Sequence, residues 1–185
     1  MKINTDFWLA NTVCRASPHF DERPNNEQPS LLVLHGISLP AGSFGGNEID
    51  DLFMGQLDCN PQSQFAPLEG LRVSAHCLIR RNGQIIQYVP FNKRAWHAGI
   101  SSFQGRSRCN DFSIGIELEG TDSALYCYEQ YFVLEQLTKA LIALYPQITL
   151  GRIVGHNDIA PNRKTDPGFS FNWALFRASL MEKKL

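Results

Sequence analysis

Leu31-Leu32-Val33-Leu34-His35-Gly36 decides how the rest of the chain is read. Four apolar residues in succession, with no polar alternation, mark a strand buried on both faces, as in a sheet covered on each side. The run ends at a histidine and a glycine, where the chain leaves the sheet, and such strand ends are where covered sheets build their sites. Upstream, residues 17–30 are polar and proline-rich and read as a surface arm leading to this strand. Downstream, a short helix is expected over 46–54, then a Pro/Gln loop over 58–67. Segments 72–79 and 84–89 read as strands joined at Arg80-Arg81-Asn82-Gly83, whose Asn-Gly is a strong hairpin signal. A strand over 112–118 follows. Leu134, Leu137, Leu141 and Leu144 recur at helical spacing within 129–145, and Pro146 stops that helix. A short strand over 152–154 precedes a last amphipathic helix, capped by Asn172 and running through Leu180. Strands early and helices late predict an α+β (α/β-like) fold in one domain, a central mixed β-sheet flanked by helices. The expected boundaries are 1–185 for the domain, with residues 1–30 an N-terminal arm packed on a core of about 31–180.

The 185 residues carry 17 Lys+Arg against 18 Asp+Glu, a net charge of −1, with 43% hydrophobic and 11% aromatic residues. That composition suits a folded globular chain with a real core. A balanced charge argues against nucleic acid as partner, which selects for a basic excess. No apolar stretch reaches the length of a membrane span, and an acid stands where a signal peptide needs its apolar centre. Five cysteines, an odd number without a C-x-x-C pair, read as free thiols, so a cytoplasmic location is expected.

His35 and His156 each follow a short buried strand, and Asp166 lies ten residues past His156 on a loop stiffened by two prolines and a glycine. Two imidazoles and a carboxylate make a zinc site with a fourth position open to water. Asp158 is the rival carboxylate, better suited to bracing the loop. In Ile114-Gly-Ile-Glu-Leu-Glu-Gly120, alternation sets Glu117 and Glu119 on one face and the apolar residues on the other. An acid in such a strand needs a job or a partner. Glu117 is the candidate general base toward water, and the ordinary alternative is an ion pair to Arg80, Arg81 or Arg108. Lys164 could stabilise an oxyanion, a contribution of about 2.7–4 kcal/mol. Trp96 and His97, between small residues, leave room for a ligand to approach, and Arg72, Arg106 and Arg108 are candidate carboxylate clamps.

Together, Leu-Val-Leu-His35, Ser74-Ala-His-Cys-Leu-Ile, Arg94-Ala-Trp-His-Ala-Gly99, Cys109-Asn-Asp-Phe-Ser-Ile-Gly-Ile-Glu-Leu-Glu-Gly120 and the run Gly155–Gly168 resemble the zinc N-acetylmuramoyl-L-alanine amidases of the AmpD branch. The resemblance runs from about Leu31 to the end of the last helix, with Pro18-His19 and Arg23-Pro24 also matching upstream. It implies one Zn²⁺ per chain held by His35, His156 and Asp166, with Glu117 activating water and Lys164 stabilising the oxyanion. It also implies Arg72, Trp96 and Arg108 along the substrate groove. The implied reaction is cleavage of the lactyl–L-Ala amide of 1,6-anhydro-N-acetylmuramyl peptides in cell-wall recycling. The expected partner is therefore a small anhydro-muropeptide, taken by a monomer with neither nucleic acid nor membrane involved. An endolysin acting on whole wall and a non-catalytic recognition module are the competing readings. The chain departs from the branch at Gly36, where Asn is usual, so a looser grip on the anhydro-sugar is expected and Gly36→Asn should tighten it. It also lacks a Tyr between His35 and Pro67, where the wider family places one.

Overall fold

The computed structural model describes residues 1–182. Among them, six strands form one sheet: β1 (Val13–Cys14), β2 (Leu31–Ile37), β3 (Cys77–Ile79), β4 (Ile85–Gln87), β5 (Ser113–Glu119) and β6 (Ile153–Gly155). Their order is β1-β4-β3-β5-β2-β6, and only the β3–β4 hairpin is antiparallel. The hairpin turns where Gly83 takes a φ of 81°, which glycine adopts without strain.

The helices are α1 (Glu48–Met54), α2 (Tyr128–Leu144), the single-turn α3 (His156–Ile159) and α4 (Trp173–Met181). Asn172 caps α4, its side chain accepting from the Leu175 N–H at 2.9 Å. Side-chain alternation divides the two faces of the sheet. Leu32, Leu34, Ile114, Ile116 and Leu118 pack on one face against Leu134, Leu137 and Leu141 of α2 and Phe176 of α4. Leu31 and Val33 face the other way, into a smaller cluster with Ala98, Cys109, Phe112, Val154 and Ile159. His35, in register with Glu117 across the parallel β2–β5 pair, shares that second face. The sheet thus keeps its long helices behind and frees its opposite face for chemistry.

Three expectations are corrected. The sheet gains an edge strand, Val13–Cys14, ahead of Leu31. The predicted strand over 72–79 shrinks to Cys77–Ile79. Upstream of it, the Ser74 N–H bonds the Trp96 carbonyl, and buried His76 turns its ring inward to accept from the Gly115 N–H. The 17–30 arm is tied down rather than laid on the surface. Phe20–Asp21 pairs antiparallel with Arg94–Ala95, and buried Arg23 donates to the carbonyls of Phe91, Asn110, Asp111 and Ser113. A guanidinium with five donors can satisfy such a ring of carbonyls, which is why it tolerates burial here. All five cysteines are free, and no described helix is long and apolar enough to cross a membrane.

Candidate active site

β6 ends at Gly155, in register with Leu34 of β2, so His156 comes off β6 beside His35, which is still paired within β2 two residues before that strand ends. The loop after α3 curls back, with the Asn157 N–H bonding the Asp166 carbonyl at 3.0 Å, and delivers Asp166 to both rings. His35 Nδ1 and His156 Nδ1 are 2.9 Å apart, and Asp166 Oδ2 is 3.2 and 3.1 Å from them. Tetrahedral zinc with bonds of about 2.0–2.1 Å needs donors about 3.3 Å apart, so this triangle is close to the size of a zinc-binding face. The donor set fits as well. His156 donates its Nε2–H to the Ala98 carbonyl at 3.2 Å, which leaves its Nδ1 lone pair aimed at the carboxylate. Asp158 is exposed and accepts instead from the Gly155 N–H at 2.7 Å, bracing the start of α3.

Burial pushes His35 down to about 4, so its ring is neutral and able to act as a ligand. Burial, reinforced by the Asp166 charge and opposed by Lys164, pushes the Glu117 carboxyl well above the ordinary value. Its Oε1 is 4.0 Å from His35 Nδ1, and its buried Oε2 has no hydrogen-bond partner. Of the arginines that could have neutralised it, Arg80 and Arg81 serve its neighbour and Arg108 pairs with Asp111. Glu119 accepts from the Arg80 guanidinium and the Arg81 and Gly45 backbone N–H groups.

His35, His156, Asp166, Glu117 and Lys164 line one cavity of about 200 Å³ with Trp96 and His97. Leu52, Phe53, Leu71 and Val73 supply its apolar wall. Trp96 is held in place: its Nε1–H donates to Asp21 at 3.1 Å, and its ring stacks on His19 with centroids 6.1 Å apart. His97 reaches the cavity, but its Nδ1 lies 2.9 Å from His35 Nε2 and its Nε2 3.0 Å from Ser113 Oγ. The ring therefore backs a candidate ligand. Neither Arg72 nor Arg108 lines this cavity. Arg72 is in an adjoining one that shares the Leu52 and Leu71 walls, and Arg108 is exposed and paired with Asp111 at 3.0 Å. Arg106, also exposed, pairs with Glu27 at 3.0 Å.

Two residues that the sequence did not single out shape the site. Ser113 backs His97, and Tyr126 fills the space beside Gly36. A Cβ on Gly36 would stand 2.4 Å from the Tyr126 Oη, which donates to the Pro167 carbonyl at 2.9 Å. The expectation that Gly36→Asn simply tightens sugar binding therefore changes. An asparagine must push the hydroxyl off Pro167, next to Asp166, and losing that bond should cost about 0.5–1.5 kcal/mol. A lowered Tm of the Gly36→Asn protein checks this, and an unchanged Tm contradicts it.

Residues 25–169 match the family of N-acetylmuramoyl-L-alanine amidases. The 1,6-anhydro-N-acetylmuramyl-L-alanine amidase AmpD of Citrobacter freundii is 63% identical over 171 residues, 92% of this chain and 91% of its own. The crystal structure of a selenomethionine AmpD derivative superposes with a TM-score of 0.93 at 60% identity, covering 97% of this chain and 99% of that one. AmiD from Escherichia coli, solved in complex with its substrate anhydro-N-acetylmuramic acid-L-Ala-D-γ-Glu-L-Lys, superposes with a TM-score of 0.60 at 35% identity, over 82% of this chain and 57% of its own. With a two-histidine, one-carboxylate triangle at the open face of a mixed sheet and this likeness along nearly its whole length, the chain belongs to the N-acetylmuramoyl-L-alanine amidase family, on its AmpD branch.

Proposed function

We propose that the protein is a zinc amidase that hydrolyses the amide between the lactyl group of 1,6-anhydro-N-acetylmuramic acid and L-alanine in soluble muropeptides. The observation that carries this is the gathering of His35, His156, Asp166, Glu117 and Lys164 in one cavity. His35, His156 and Asp166 would hold one zinc ion. Zinc bound there supplies Lewis acidity to the scissile carbonyl and brings the pKa of a water near 7.

Glu117 takes the proton from the attacking water and later delivers it to the leaving amine of L-alanine. Its burial and its partnerless Oε2 suit a group whose partner is a transient proton donor. The Lys164 ammonium faces the oxyanion that develops on the carbonyl, and the apolar wall from Leu52 to Val73 keeps bulk water from screening that charge. Trp96, fixed by Asp21 and His19, offers its ring to the sugar, and His97 supports the metal ligand behind it. Arg72 and Arg108 stand further out, where they would meet the stem peptide's carboxylates. Five free thiols support a cytoplasmic setting for a chain acting as a monomer.

The test is kcat/KM on soluble anhydromuramyl-tripeptide, on intact sacculi and on the same peptide without its sugar, with products identified by mass spectrometry. Cleavage at the lactyl–L-Ala amide far faster on the soluble substrate than on the other two is expected. Equal rates on sacculi would favour a wall-degrading amidase instead.

A further inference from the structure

We propose that Ser113, His97 and His35 form a tautomer relay that reverses when metal binds, with Ser113 and His97 acting as positioning residues for the metal ligand. This rests on the metal-binding reading given above and adds to it.

The argument is one of hydrogen-bond arithmetic. A neutral imidazole carries one N–H, so a proton on one nitrogen obliges the other to accept. His156 is assigned by its nearer partner: the Ala98 carbonyl, 3.2 Å from Nε2, can only accept and so favours the proton there, while the Arg163 guanidinium, 3.5 Å from that nitrogen, is engaged by the Ala98 and Ile100 carbonyls. Its bare Nδ1 and the Asp166 carboxylate lie 2.9 and 3.2 Å from His35 Nδ1, and both are acceptors. Without a cation, His35 must place its own proton on Nδ1 to bond them. Its Nε2 is then bare and accepts from His97 Nδ1–H at 2.9 Å, and His97 Nε2 accepts from the Ser113 hydroxyl at 3.0 Å.

A cation among the three donors demands the reverse. His35 Nδ1 must be bare, so Nε2 carries the proton and donates to His97 Nδ1, while His97 Nε2–H donates to Ser113 Oγ. Each ring holds one proton before and after, the protons change nitrogens by exchange with water, and the serine hydroxyl turns from donor to acceptor. No charge is left in the interior. A hydroxyl, which both donates and accepts, is the end group that such a reversal needs.

The surroundings are built around the His97 ring. A Cβ on Gly115 would stand 2.4 Å from it, so this strand position accommodates the ring only as glycine. Asn110 Oδ1 accepts from the backbone N–H groups of both His97 and Ala98, at 3.2 and 2.8 Å, which fixes the ring's approach. His76, the other buried ring nearby, cannot reverse. Its Nδ1 accepts from the Gly115 N–H at 3.0 Å and its Nε2–H donates to the Lys93 carbonyl at 3.1 Å.

The experiment is a zinc titration of stripped, histidine-¹⁵N-labelled protein, followed by long-range ¹H–¹⁵N spectra that tell a protonated ring nitrogen from a bare one. The expected result is a switch of His97 from Nδ1–H to Nε2–H in step with His35, while His76 and His156 keep Nε2–H throughout. Zinc uptake with the His97 tautomer unchanged overturns the relay and leaves the metal site standing. No zinc uptake overturns the metal site and the relay with it. In parallel, chelator competition should show zinc bound roughly 10–100-fold more weakly by His97→Phe. His97→Gln, whose amide oxygen can accept from His35 Nε2–H, should recover most of that affinity. An unchanged zinc affinity in folded His97→Phe protein also overturns the relay, and the spectra of the unsubstituted protein stand whether or not that variant folds.

Discussion

Glu117→Gln is expected to lower kcat by roughly 10²–10⁴-fold, the span that general-base assistance contributes, with zinc content and KM close to those of the unsubstituted enzyme. The amide keeps the shape of the side chain and removes its ability to take a proton. The same substitution should raise stability in the zinc-free protein. A carboxyl whose pKa is raised by folding ionises first in the unfolded chain. Stability is therefore lost as pH climbs from the ordinary carboxyl value toward the raised one, and the loss persists above it. Glutamine has no charge to bury, so at neutral pH the zinc-free Glu117→Gln protein should melt higher. Single-turnover kinetics with metal analysis check the first effect, and thermal melts at pH 4 and pH 7 check the second. Near-normal kcat would move the base role to another group. Glu119 is poorly placed to take it, because Arg80 and two backbone N–H groups already hold its carboxylate.

Asp166→Ala should abolish stoichiometric zinc and, with it, activity. Without the carboxylate, two neutral imidazoles remain, and nothing in the donor set offsets the charge of a divalent cation. A chelator should do the same to the unsubstituted enzyme, reversed by added zinc. Asp158→Ala should leave metal content intact, since that carboxylate bonds the Gly155 N–H instead. Metal analysis of the two variants side by side separates them. Equal zinc in both would exclude Asp166 as a ligand.

The parts of the fold legible in the sequence were those with a strong local signal. The apolar run at Leu31 and the alternation from Ile114 to Leu118 are the two long, adjacent strands β2 and β5, and the leucine spacing within 129–145 is α2. Alternation also set Glu117 and Glu119 on one face, but which of them finds arginine depends on where the 80–83 hairpin lands. Long-range packing was not legible. Val13–Cys14 is an exposed two-residue edge strand with no hydrophobic pattern to announce it. Arg23 stands among prolines and acids and looks like surface until four carbonyls from distant segments close around it. Tyr126 meets Gly36 across 90 residues of chain, and only the folded protein shows that the glycine makes room for it. His97 could be marked as chemically interesting from its small neighbours, yet its contact with His35 needed the sheet.

The fastening of the N-terminal arm bears on where this enzyme begins as a working unit. His19 and Asp21 hold Trp96, and Arg23 grips the carbonyls of Asn110 and Ser113, the same two residues whose side chains seat the backbone and ring of His97. The stretch shared with the family at large starts at residue 25, just past all three. A chain trimmed to that shared stretch would keep every proposed ligand and lose the grip on the residues behind them. The support of the proposed site thus reaches further than its family signature, and protein engineers seeking a compact version should keep residues 17–24 as the brace behind it.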